Sequence, residues 1–152
     1  MRVQDFMTKR VETISTGESA EEALARMRRK RIHHLVVTAG KEILGVVSDR
    51  DLTERSVEGR QETVEEAMTR GVATASPKMS MRQAANRMRG RGIGCLPVVE
   101  GGTLVGIITT TDLLDLIGRG AQGPSPKGRR WILKGRGPRR KLIAGRKGIP
   151  AR

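Results

Sequence analysis

Aromatic side chains are almost absent: one Phe, one Trp and no Tyr among 152 residues. That leaves little with which to stack nucleic-acid bases. Cys95 is the sole cysteine, so an intrachain disulfide is excluded. One thiol and the adjacent pair His33 and His34 match no common zinc-ligand spacing. No apolar run approaches the roughly 20 residues that span a bilayer, and the opening MRVQDFMTKR lacks the apolar centre of a signal peptide. The expected setting is the reducing cytoplasm, away from membranes. Also missing are a nucleophile–base pair, a metal-ligand cluster and the G-x-x-x-x-G-K-[ST] phosphate loop. The chain is therefore expected to be no enzyme and to require no cofactor.

What is abundant is positive charge, and it is unevenly placed. The chain holds 30 Lys and Arg against 16 Asp and Glu, a net of +14. Twelve of the basic residues and none of the acidic ones fall in 119–152. Without them, eighteen basic residues face sixteen acidic ones in the first 118, a net of +2. A near-neutral body is thus joined to a polycationic tail, and the high pI belongs to the tail.

The body is an internal duplication. Shifted by 61 residues, the sequence lies on itself without a gap. VQDFMTKRVETIS matches VEEAMTRGVATAS, ALARMRRKRIHHLVV matches AANRMRGRGIGCLPV, and GKEILGVVSDRDL matches GGTLVGIITTTDL. Each copy reads as the same series. VETIS and VATAS alternate apolar residues as short strands do. Ser19 with Glu22, and Ser80 with Gln83, form two capping boxes. The helices they open carry Ala23, Leu24 and Met27, or Ala84, Ala85 and Met88, on one face and end near Lys30 and Gly92. LVV and PVV read as buried strands, Gly40 and Gly101–Gly102 as hairpin turns, ILGVVS and LVGIIT as the returning strands. A last helix starts at Asp49 or Thr110. The order is β-α-β-β-α in each copy. Neither unit of about sixty residues covers its own sheet, so the two are expected to pack as one module. The boundaries read as 1–61, 62–118 and a tail at 119–152.

The chemistry concentrates where the last strand meets the last helix. These corners are Gly45-Val46-Val47-Ser48-Asp49-Arg50-Asp51 and Gly106-Ile107-Ile108-Thr109-Thr110-Thr111-Asp112. A helix N-terminus offers unpaired N–H groups and a positive dipole end. A cap hydroxyl donates to phosphate, and a carboxylate three residues on accepts from both hydroxyls of a ribose. The same residues also form capping boxes, which need no ligand. The residues alone leave both readings open.

Over about residues 3–118 the chain resembles the CBS domain family. The resemblance rests on D-x-M-T at Asp5–Thr8 (Glu66–Thr69, with Glu for Asp), the strand and capped helix, I-x-x-L-P-V-V at Ile93–Val99, and the closing G-h-h-S/T-x-x-D. It implies an α/β fold in which two repeats pack as one pseudo-twofold module, commonly dimeric. It implies adenosyl ligands such as AMP, ADP, ATP or S-adenosylmethionine. Asp51 and Asp112 take the place of ribose acceptors, and Ser48 and Thr109 that of ribose or phosphate partners. By the family pattern Asp51 and Ser48 share one cleft with Thr63, Met68 and Ile93. Asp112 and Thr109 share the other with Met7 and Ile32. His33, His34 and Arg50 are then expected near the phosphates of the first cleft, where the second has Gly94, Cys95 and Thr111. The first cleft should therefore bind phosphate more strongly. Val36 departs from the family's proline, which Pro97 supplies in copy two.

Other conspicuous residues read structurally. Cys95 reads as a small apolar filler, and Met27 and Met88 as core residues at helical spacing. The run Arg26–Arg31 reads as a solvated helix face, with contact to a phosphate or an acidic partner as the lesser reading. The tail is linker-like Gly, Pro, Arg and Lys with two apolar knots, Trp131-Ile132-Leu133 and Leu142-Ile143. Such a polycation suits RNA, DNA or an acidic protein, or serves as a solubilising extension. The chain as a whole reads as a regulatory adenosyl-ligand sensor, or else as a nucleic-acid-associated protein whose duplicated body dimerises.

Overall fold

The computed structural model describes residues 1–56 and 63–120; the basic tail beyond Gly120 lies outside them. Copy one runs α1 (Val3–Phe6), β1 (Thr13–Ile14), α2 (Ala20–Lys30), β2 (His34–Ala39), β3 (Glu42–Ser48) and α3 (Asp49–Ser56). Copy two runs α4 (Val64–Ala67), α5 (Met81–Arg91), β4 (Cys95–Glu100), β5 (Thr103–Thr109) and α6 (Thr110–Gly118). The mixed α/β architecture expected from the duplication is present. The short helices α1 and α4 are additions to it.

Local chemistry accounts for these elements. Ser80 accepts from the Gln83 N–H at 3.2 Å, and the Gln83 side chain returns to the Ser80 N–H at 3.0 Å. Copy one has only half of the expected box. Ser19 accepts from the Glu22 N–H, but the carboxylate that turns back is Glu18, which accepts from the N–H and hydroxyl of Ser15. Basic residues close the last turn of α2, where the helix dipole favours them. The hairpin β4–β5 turns on Gly101 and Gly102, both at positive φ (56° and 79°), as a tight primed turn demands. Each hairpin carries a bulge at the same place, Val37/Thr38 and Val98/Val99.

One expected strand is reduced. In copy one β1 pairs in parallel with β2 through Thr13↔Val36 and Ile14↔Val37. In copy two VATAS contributes a single bridge, Ala75↔Val98. The reason lies opposite it. The Val36 N–H bonds to Glu12 O, whereas Pro97, at the equivalent place, has no N–H to give.

The core is built by exchange. Ile14, Ala23, Met27, Leu35, Val37, Val47 and Leu52 of copy one pack with Val64, Ala67 and Met68 from the start of copy two. Conversely Met81, Ala84, Met88, Leu96, Val98 and Ile108 pack with Val3 and Met7 from the start of copy one. Backbone bonds fix both crossings. Thr8 and Ile107 exchange a pair of bonds at 2.9 and 2.9 Å, as Thr69 and Val46 do at 2.9 and 3.1 Å. Between the two cores Val36, Cys95 and Ile107 form a third, smaller cluster at the seam. The expectation that the copies pack as one module therefore holds in a stronger form.

Candidate functional site

Each strand-to-helix corner closes on itself. In copy one the Ser48 N–H donates to Asp51 Oδ2 at 2.9 Å and the Asp51 N–H to Ser48 Oγ at 3.1 Å. In copy two Asp112 Oδ2 accepts from the N–H and hydroxyl of Thr109, both at 2.8 Å. The capping reading is thus realised at both corners. It does not exhaust the carboxylates, since each has about four acceptor positions. All four side chains are half-buried, a setting that holds their orientation while leaving a face open.

The two histidines separate: His34 opens β2 and His33 just precedes it. His33 is exposed and its Nδ1 lies 2.7 Å from Asp49 Oδ2. The contact with His33 and the Arg50 N–H hold the Asp49 carboxyl below its usual range against the opposing effect of desolvation. His33 and Asp49 join Arg28, Arg31, Ile32 and Thr53 around a surface hollow of about 260 Å³. His34 turns instead toward copy two. Its Nε2 approaches Gly94 so closely that a methyl group there would sit 3.2 Å away, and Thr110 Oγ1 is also within reach of that point. Burial pushes its imidazole below the ordinary range; the nearby charge of Asp49 opposes this, His33 adds to it and Asp51 opposes it. His34 thereby lies between the corners rather than in the first alone.

The remaining candidates divide. Thr63 is half-buried, its N–H held by Glu66 Oε2 at 2.9 Å. Met68 and Met7 are buried and pack behind the strands at Gly45 and Gly106. Ile32 leans on the core of copy one and Ile93 on that of copy two. Arg50 stands in solvent with Glu54 Oε1 3.8 Å from its Nε, and Thr111 is exposed on α6. Cys95 is buried beside Asp51, and burial first, then that carboxylate, pushes its thiol up to about 12. It stays protonated, as a filler would. Among the described residues no three His, Cys, Asp or Glu are grouped as metal ligands, and no helix is long and apolar enough to cross a membrane.

Asp49 and Thr53 are not among the site residues expected from the sequence, and Arg28 and Arg31 enter there only as members of the basic run Arg26–Arg31. One of them left a signal. Arg31 occupies the position of Gly92 in the 61-residue register and adopts the same left-handed backbone, φ 55° against 64°. A side chain kept where glycine is easier suggests use of that side chain.

A depressed histidine makes stability depend on pH with a definite sign. The unfolded chain binds a proton near pH 6.5, while folded His34 resists it. Between those values the unfolded state holds more protons, so stability falls as pH falls. Thermal midpoints should drop from pH 7 toward pH 5. His34→Asn should flatten that slope; an unchanged slope in the variant would remove His34 from the account.

Comparison with known proteins fits this geometry. The family model described as "CBS domain" matches twice, at residues 3–58 and 64–119. A CBS domain-containing protein of Bacillus subtilis, YhcV, is 32% identical over 114 residues, covering 73% of this chain and 81% of that one. The homoserine O-acetyltransferase of Methanohalobium evestigatum is 33% identical over 117 residues, 76% of this chain. The chain spans only about a quarter (24%) of that enzyme's length, and what it shares is the CBS part. Among solved structures, the CBS domain pair of protein MJ0100 in complex with 5′-methylthioadenosine and S-adenosyl-L-methionine gives a TM-score of 0.74 at 28% identity, covering 78% of this chain and 97% of that one. CBSX2 in complex with AMP gives 0.66 at 26% identity, covering 78% and 96%. With both repeats matched and their fold shared with solved CBS domain pairs, this chain belongs to the CBS domain family.

Proposed function

We propose that the module is a regulatory sensor that binds an adenosyl ligand at its two strand-to-helix corners. The observation that carries this reading is the pair of half-buried carboxylates, Asp51 and Asp112, each fixed by its own cap beside a helix N-terminus. A carboxylate so held accepts from ribose hydroxyls without reorganising, and the N-terminal N–H groups attract phosphate or carboxylate. The ligands in the MJ0100 and CBSX2 complexes support the ligand class. The corners differ in charge. Copy one places Arg28, Arg31 and His33 around its hollow, whereas copy two has Arg89, Gly92 and Gly94 in register. A phosphorylated ligand therefore favours the first corner, where Arg50 is free to exchange its solvent-exposed contact with Glu54 for phosphate.

Isothermal titration of the full chain with AMP, ATP and S-adenosylmethionine tests this. Saturable binding should weaken at least about tenfold, roughly 1.4 kcal/mol, in Asp51→Ala or Asp112→Ala, whichever corner is used. Arg50→Ala should weaken AMP and ATP more than S-adenosylmethionine. No heat from a folded sample, or binding indifferent to both aspartates, would overturn the reading.

A further inference from the structure

His34 stands at the seam of the two copies with no task in the sensor reading. It is half-buried, and among the described residues its ring has no hydrogen-bond or ion-pair partner. Its backbone place is that of Cys95: His34 pairs with Ser48 across one hairpin as Cys95 pairs with Thr109 across the other. Cys95, buried and inert, shows that a small apolar residue satisfies the fold at that place. The imidazole therefore brings a polar group that packing does not require.

The ring is aimed across the seam. Its Nε2 lies 3.2 Å from the point that a methyl group on Gly94 would occupy, and Thr110 Oγ1 lies 4.0 Å from the same point. Gly94 O accepts the N–H of Thr110 at 2.9 Å, which fixes the start of α6 there. His34 thus reaches the second corner, the one that holds Asp112. That corner is poor in cations: where copy one has His33, His34 and Arg50, it has Gly94, Cys95 and Thr111. Burial is the largest influence on the ring and keeps it neutral; Asp49 and Asp51 of α3 favour its charged form, and His33 opposes it. The positive end of α6 opposes it too, and the Cys95 thiol stays protonated and adds no charge.

We propose that His34 is the phosphate-binding cation of the second corner, supplied by copy one, and that it takes up a proton as a phosphorylated ligand binds there. The inference rests on the reading of that corner as an adenosyl site. The proton comes from solvent and sits on the ring nitrogen that was bare. A phosphate dianion beside Nε2 supplies the attraction that burial denies the imidazolium. The bound form then holds more protons than the free form, so affinity rises as pH falls. The first corner, with Arg28, Arg31 and Arg50, needs no such proton.

Isothermal titration of the full chain carrying Asp51→Ala, which leaves the second corner as the working one, tests this. AMP affinity should rise at least about threefold from about pH 8 to about pH 6.5. Paired buffers of different ionisation heat should show net proton uptake. Asp51 itself favours the imidazolium, so the gain at this corner in the wild type should be no smaller. 5′-Methylthioadenosine, which has no phosphate, should show neither gain nor uptake. Adding His34→Asn should abolish the gain and leave a slight weakening as the phosphate of AMP takes its own proton near pH ~6. Gly94→Ala, which crowds the ring and leaves His34 in place, should reduce the gain. An affinity indifferent to pH, or a gain that survives His34→Asn, would overturn the inference and leave the sensor reading standing. So would AMP binding, or its gain, that is lost with Asp51→Ala and kept with Asp112→Ala. No binding of either ligand by the folded wild type at either pH would overturn both.

Discussion

Replacing Gly45 by alanine is expected to destabilise the protein by about 3 kcal/mol, more than the same change at Gly106. Both glycines lie in the returning strand of a hairpin, opposite Val37 and Val98, and neither needs positive φ. What excludes a side chain is the segment that crosses from the other copy. At Gly45 a methyl group would sit 2.7 Å from the carbonyl oxygen of Thr69 and 2.9 Å from Met68 Sδ. The carbonyl belongs to the Thr69–Val46 bond pair, so relief requires that pair to open. At Gly106 the nearest atom is Met7 Sδ at 2.5 Å, while the backbone oxygen of Thr8 stands at 3.1 Å. A thioether swings aside at lower cost than a backbone moves. The thermal midpoint should fall by about 10 °C or more for Gly45→Ala and by less for Gly106→Ala. Midpoints within two degrees of wild type, or the reverse order, would show that the crossing segments are not held as tightly as their bonds imply.

Val64→Asp is expected to cost at least about 4 kcal/mol, since it places a carboxylate without a partner where no water reaches. Val64 is fully buried, its N–H bonded to Glu18 O at 2.9 Å. The informative part is where the damage falls. By sequence Val64 opens copy two; by packing it belongs with Met27, Leu35 and Val47 of copy one. Amide hydrogen exchange should therefore accelerate first in β1, β2 and β3, with β4 and β5 retaining protection longer. Val3→Asp should do the opposite, loosening β4 and β5 although it lies in copy one. Damage confined to the copy that carries the substitution would contradict the exchanged cores.

The duplication explains why so much of this architecture is legible in the residues. Two registers of the same pattern, 61 residues apart, corroborate each other: Ser19 with Ser80, Gly40 with Gly101, Asp51 with Asp112. Helix ends at Lys30 and Arg91 and both hairpins stand where those signals put them. The crossing of α1 and α4 is a different matter. Which copy a four-residue helix packs on is a tertiary choice, and the alternation of its apolar residues is the same either way. The reduced strand at VATAS follows from Pro97, which was visible as a family feature but whose missing N–H matters only once its partner is known. At the candidate site, the cap residues follow from spacing, and the parting of His33 from His34 follows from their place where β2 begins. The partner of each histidine does not. Asp49 meets His33 because the hairpin register sets His34 opposite Ser48, and Gly94 admits His34 because it has no side chain to stand in the way.

The exchange of opening segments also orders how the chain assembles as it is made. Val3 and Met7 emerge before the elements they pack on, and the strand that receives them ends at Thr109. Nearly the whole body must be synthesised before they find their place. Copy one, by contrast, closes as soon as residue 68 appears. Val3 and Met7 are thus made before copy one closes and buried after it, and copy one becomes a finished platform against which copy two is completed.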